Sequence, residues 1–255
     1  MTATPAGMTY ADYLKLDQLL SAQQPLSELH DEMLFIVIHQ TKELWMKELL
    51  HELRLAIELV QVDRFAEAYK AMARISRIQA VMTLSWDVLS TLTPVDYLKF
   101  RNVLGTSSGF QSEQFREIEF RLGLKDPNFI NHYEDGSAER TALERALSEP
   151  SLREASHDAL ERAGFDLGDR SVDAIAQAWL QVYGDEERWF DLYELAEKLV
   201  DIDDALAAWR HKHVLTVERI IGNKPGTGGS AGAPYLRSTL DKRVFPELWA
   251  LRTSL

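Results

Sequence analysis

Two histidines, an arginine and two glycine-rich loops carry the chemistry this chain could do. His213 lies in WRHKHVLTVERIIGNKPGTGGSAG, residues Trp209 to Gly232. Steps of three and four from Ile202 through Leu206, Trp209, His213, Val217 and Ile220 draw one apolar stripe interrupted by a single imidazole. His211 is two residues away, on roughly the opposite side of a helix that turns about 100° per residue. His213 is therefore expected inside and His211 in solvent. The helix should stop at Gly222, with the loop Gly226-Thr227-Gly228-Gly229-Ser230-Ala231-Gly232 following at once. A histidine on an apolar face is most often a core residue bonded to a carbonyl; the alternative is a metal ligand, with the glycine loop as a lid.

His39 repeats the pattern in DEMLFIVIHQTKELWMKELLHEL, with Phe35 four residues earlier on the same side. Arg101 has Tyr97 at i−4 and Phe100 and Leu104 beside it. An arginine among aromatic and aliphatic neighbours wants a carboxylate, whether from the protein or from a ligand. Gly105-Thr106-Ser107-Ser108-Gly109 can bring backbone donors and hydroxyls close to a bound group.

The elements that must position these residues read as helices. Residues 1–8 are expected to be disordered, and Tyr10 to Leu20 to be one short amphipathic helix. Asp31 to about Val62 is a long helix, because Met46, Leu49, Leu53, Ile57 and Val60 keep helical spacing. Met33 to Ile38 is apolar all round, so its first turns should be buried on every side. Phe65 to Leu92 is a second long helix. Thr93-Pro94-Val95-Asp96 opens the helix that bears Arg101, with Thr as N-cap, Pro at the first position and an acid in the first turn. Helix resumes from Gln111 to Leu122. Residues 123–150 are shorter, variable pieces broken at Gly123, Pro127, Gly136 and Pro150. Ser151–Ala163, Ser171–Tyr183 and the stretch from Asp185 into the His213 stripe are helical, as are short segments near Tyr235–Leu240 and at the C-terminus. No strand, linker or repeat is visible, so residues 1–255 are expected to form a single all-α domain, a helical bundle.

Composition narrows the chemistry further. Asp plus Glu total 40 against 28 Lys plus Arg, a net charge of −12. That disfavours nucleic acid or an anionic membrane as partner, since both need clustered positive charge. With no Cys, zinc-thiolate sites, iron–sulfur clusters, thiolate-ligated haem and covalent c-type haem are excluded. No basic n-region with an apolar h-region is visible at the N-terminus, nor any run long enough to span a membrane, and a cytoplasmic location is expected. The glycine loop follows a helix and lacks GxxxxGK[ST], so it is not a P-loop. A dinucleotide fingerprint would need a preceding strand. HExxH is absent, and neither His39 nor His213 has Glu three residues before it as a di-iron bundle requires. Two interior histidines in an apolar bundle would suit a haem with one open coordination position, although spacing alone does not require it.

Three long segments, DEMLFIVIHQTKELWMKELLHEL, TPVDYLKFRNVLGTSSGFQSEQFR and the His213 stretch, together resemble the tryptophan 2,3-dioxygenase family. YADYLKLDQLLSAQQP at the start and FPELWALRTS at the end are similar too, and 123–180 is the weakest part. The resemblance implies haem b, one per subunit, and O2-dependent cleavage of the indole C2–C3 bond of L-tryptophan to N-formyl-L-kynurenine, the first step of tryptophan catabolism through kynurenine. It implies His213 as proximal haem ligand and His39 as the distal residue bonded to the indole N–H. Phe35 would be an aromatic wall, and Arg101, assisted by Tyr97, the partner of the substrate carboxylate. Ser108 would be a distal hydroxyl and Thr227 a contact to the ammonium and carboxylate. Tyr10, Tyr13 and Leu14 would reach into a neighbouring subunit of a homotetramer. Lys42 departs from the pattern, a charge one turn from His39 where a smaller residue is expected. Two other readings stay open: a related haem mono-oxygenase acting on the indole ring, and a haem-binding sensor without turnover.

Overall fold

The computed structural model describes residues 7–255; of the stretch expected to be disordered, 1–6 lie outside the described residues. The helices are α1 (Tyr10–Leu14), α2 (Leu16–Leu20), α3 (His30–Gln61), α4 (Phe65–Leu89), α5 (Pro94–Phe100), α6 (Glu113–Leu122), α7 (Ala138–Ser148), α8 (Leu152–Arg162), α9 (Val172–Gly184), α10 (Phe190–Ile221), α11 (Ala233–Arg237) and α12 (Pro246–Ala250). Short 3-10 turns cover Arg101–Leu104, Gly109–Gln111, Pro127–His132 and Leu251–Thr253. Among the described residues there is no strand, as an all-α fold requires. No helix is long and apolar enough to cross a membrane.

Two helices of 32 residues, α3 and α10, frame the molecule, and α4 packs against both. The α3 stripe buries Met46, Leu49, Leu53, Ile57 and Val60, and α10 buries Leu195, Leu199, Ile202 and Leu206. Met72, Ile75 and Met82 of α4 fill the space between them. Burying such side chains fully contributes about 1.5–3 kcal/mol each, so this three-helix seam dominates the core. A satellite cluster of Phe120, Ile130, Leu143 and Ala146 covers α6 on the side of the variable segment.

The C-terminal segment is tied down by buried carboxylates. Asp203 Oδ2 of α10 accepts from the backbone of Val244 (3.0 Å) and Phe245 (3.2 Å) and from Trp249 Nε1 (2.9 Å). Glu247 accepts from Arg153 Nη2 (2.8 Å) and lies 2.9 Å from His157 Nε2 on α8. Asp203, which precedes the glycine-rich segment 222–232, is thus bonded directly to residues that follow it.

Three expectations are corrected. The N-terminal helix is not continuous: Lys15 adopts a left-handed conformation (φ 54°) and splits it into α1 and α2. Neither piece buries a residue, so no packing within the chain holds them as one. The first turns of α3 are not buried all round. Met33 and Val37 are exposed, while Phe35, Ile36 and His39 line a cavity. The second long helix ends at Leu89, since Ser90 and Thr91 turn their hydroxyls back onto the carbonyls of Asp87 and Val88.

Candidate active site

A cavity of about 850 Å3 lies between α3 and α10, with α4 and α6 at its sides and the two glycine loops at its mouth. His39, from α3, and His213, from α10, both line it. The helices that bring them there are apolar on that face, so each imidazole is set among hydrophobic side chains.

His213 is gripped by aromatic rings. Trp86 stacks on it at 4.4 Å between centroids and 12° between planes, and Trp209 lies tilted at 5.1 Å. Burial pushes its imidazole down to about 3, with the positive fields of Lys42 and His39 adding to the effect. The ring is neutral at physiological pH and keeps a nitrogen lone pair, as ligation of a metal requires. The role of Trp86 escaped the sequence, because nothing in α4 marks which face meets α10.

His39 is oriented by its own helix. Its Nδ1 lies 2.7 Å from the carbonyl oxygen of Phe35, which can only accept, so Nδ1 carries the proton and donates. Burial, more than anything else, lowers its pKa to about 4. A neutral ring with Nδ1–H committed leaves Nε2 as an acceptor. Phe35 packs on His39 at 4.2 Å and on Tyr97 at 5.9 Å, forming an aromatic wall of the cavity.

At the mouth the two loops dock on each other. The Thr227 hydroxyl donates to the Ser107 carbonyl. A Cβ at Gly228 would lie 2.6 Å from Ser108 Cβ, so glycine is what permits this approach. Ser108 lines the cavity and caps the turn Gly109–Gln111, its hydroxyl accepting from Phe110 N at 3.3 Å. Arg101 is half-buried beside this junction, below the loop rather than on the cavity wall. Its Nη2 donates to the Pro225 carbonyl at 2.5 Å, and its Nε is buried without a partner. The Tyr97 phenol is raised by burial, an effect opposed by the nearby Arg101 charge. No protein carboxylate pairs with Arg101 among the described residues, so its fork has charge to offer a ligand.

Of the residues singled out in the sequence, Phe35, His39, Tyr97, Ser108, His213 and Thr227 all line the one cavity. Tyr10, Tyr13 and Leu14 do not. They sit on α1 and are 76%, 74% and 39% exposed. Lys42 is buried inside the cavity, its Nζ 2.8 Å from the centroid of the Trp86 ring. Burial pushes its amine down to about 6. The cations Arg116 and Arg210 also face the cavity, but Glu119 pairs with both, and Arg210 adds a bond to the Lys242 carbonyl at 2.8 Å.

Among the described residues no group of three or more His, Asp or Glu side chains is placed to hold a metal ion by itself. One imidazole per side of a large, largely apolar cavity fits a flat macrocycle that brings its own four donors and needs one protein ligand. Lys42 Nζ, orphaned in the same cavity, gives a carboxylate-bearing group something to meet.

Comparison with known proteins supplies the rest. A sequence profile of the family described as tryptophan 2,3-dioxygenase matches residues 1–173 and 166–255. The chain is 58% identical to a tryptophan 2,3-dioxygenase of Caulobacter vibrioides, over 97% of this chain and 98% of the relative. It is 51% identical to one from Bacillus thuringiensis subsp. konkukian, covering 97% and 93%, and 49% identical to one from Shewanella woodyi, covering 97% and 91%.

Proposed function

Since this chain belongs to the tryptophan 2,3-dioxygenase family, we propose that its central cavity holds haem b on His213 and L-tryptophan beneath the glycine loops. The enzyme cleaves the indole C2–C3 bond of L-tryptophan oxidatively to give N-formyl-L-kynurenine. Bound haem supplies the iron centre at which O2 is activated, so that both of its atoms end in the product.

The residues of the chain do the binding and aiming. His213 offers the lone pair of a neutral, aromatic-clamped imidazole. Arg101 takes the substrate carboxylate in a bidentate contact, with Tyr97 beside it. Thr227 meets the ammonium and carboxylate, Ser108 presents its hydroxyl from the distal side, and Phe35 walls the indole. The observation that carries this reading is the His39 tautomer: Nδ1–H is committed to the Phe35 carbonyl, so Nε2 accepts the indole N–H. An indole N–H is far too weak an acid for imidazole to deprotonate, so His39 positions the ring rather than acting as base. The loops exclude water from the closed site.

A homotetramer belongs to the same reading. Tyr10 and Tyr13 project from a helix that buries nothing in its own chain, and a neighbouring subunit's site gives them a place to go.

The direct test supplies haem, reduces the protein, adds L-tryptophan and 18O2, and weighs the product. N-formyl-L-kynurenine with two labelled atoms is expected. An oxindole with one, or haem binding without O2 consumption, would overturn the assignment. A second test concerns His39. Its low pKa means that the ring is already neutral above about pH 5 and gains a proton only as pH falls through about 4. Tryptophan affinity should therefore show no His39-dependent inflection from about pH 6 to 8, where an ordinary imidazole would titrate near 6.5. An inflection there that vanishes in His39→Ala would refute the neutral-acceptor role.

A further inference from the structure

We propose that Lys42 is the counter-cation for a carboxylate of the bound macrocycle, reached by swinging its head group off the face of Trp86. The proposal rests on the reading that the cavity holds haem b, whose two propionates are its only anionic substituents.

Lys42 is 5% exposed, and its Nζ has no hydrogen-bond partner. An amine buried this way lacks both water and a counter-ion, a state that is unfavourable unless something else in the life of the site uses it. The cavity acids do not serve it: Glu113 lines the cavity too and makes no contact with Lys42 Nζ. Glu32 accepts from Leu26 N and Ser27, Glu43 from Gln114, and Glu119 from Arg116 and Arg210. Nor do the other cations leave Lys42 redundant: Arg116 and Arg210 are already paired, Lys242 is exposed to solvent, and Arg101 lies at the loop junction. Lys42 is thus the one buried amine lining the cavity, and it has no polar contact at all among the described residues; its aliphatic stem is long enough to move the head group around the edge of a flat ligand. The face-on contact with Trp86 is a resting place that a carboxylate outcompetes, since an anion beside the amine favours its protonated form and gives it a charge-assisted hydrogen bond in place of a ring face. The substrate carboxylate is the other anion that enters, but the fork beside the docked loops takes it.

The test is a chemical double-mutant cycle read by the Soret band, with no turnover involved. Haem-free wild type, Lys42→Met and Lys42→Arg are each titrated with haem and with its dimethyl ester, in one detergent-containing buffer. Wild type should prefer the free acid, and Lys42→Met should lose about tenfold of that preference while still binding the ester. Lys42→Arg, which keeps the charge, should retain most of it. An acid-to-ester ratio equal in wild type and Lys42→Met overturns the proposal. If circular dichroism shows Lys42→Met unfolded, Lys42→Gln replaces it under the same criterion. Wild type that takes up neither form would sink the haem reading itself, a different failure from an unchanged ratio.

Discussion

His213→Ala should purify without haem and fail to retain it when it is supplied, binding at least about 100-fold more weakly than wild type. Loss of residues that merely support a metal ligand already weakens affinity 10- to 100-fold, so loss of the ligand itself sets a lower bound there. The fold should survive. His213 is one position in a helix of 32 residues whose stripe from Leu195 to Leu206 is fully buried without it. Removing the ring also leaves a slot beside Trp86, which stacks on it at 4.4 Å, and Trp209, which lies tilted at 5.1 Å. Added imidazole should enter that slot and restore the Soret band, because the walls that orient the ring remain. Normal haem retention by the alanine variant, with an unchanged spectrum, would show that another residue is the ligand.

The same helix shows why part of the site could be read from sequence. A stripe that repeats over 32 residues states its inward face many times over, so the inward placement of His213 and the outward placement of His211 follow from periodicity alone. His39 inherits its placement from α3 in the same way. What periodicity does not report is the partner across the gap. Trp86 is one apolar residue near the end of α4, and only the packing of α4 against α10 sets its ring on His213. The junction of the glycine loops joins Thr227 and Ser107, 120 residues apart, by a hydroxyl and a carbonyl that have no pattern in sequence. Lys42 was conspicuous by its type, yet its burial depends on the cavity that three helices build around it. The break at Lys15 was hidden for the opposite reason: α1 and α2 have no packing of their own to hold them straight.

Arg101→Ala should weaken L-tryptophan binding by about 2–3 kcal/mol, roughly 30- to 150-fold, and leave haem affinity as it was. The guanidinium holds the Pro225 carbonyl at 2.5 Å, so the substitution removes an anchor of the glycine loop along with a carboxylate clamp. Tryptamine separates the two effects, because it keeps the indole and the amine but has no carboxylate. A lost clamp weakens tryptophan and spares tryptamine; a lost anchor weakens both alike. The buried, unpartnered Nε favours the clamp, since the fork has a donor that the loop does not use. Arg101→Lys should then fall between wild type and alanine for tryptophan, keeping the charge and losing the bidentate geometry. Equal losses for tryptophan and tryptamine, measured by equilibrium titration of the haem-loaded protein, would reassign Arg101 from substrate binding to holding the loop.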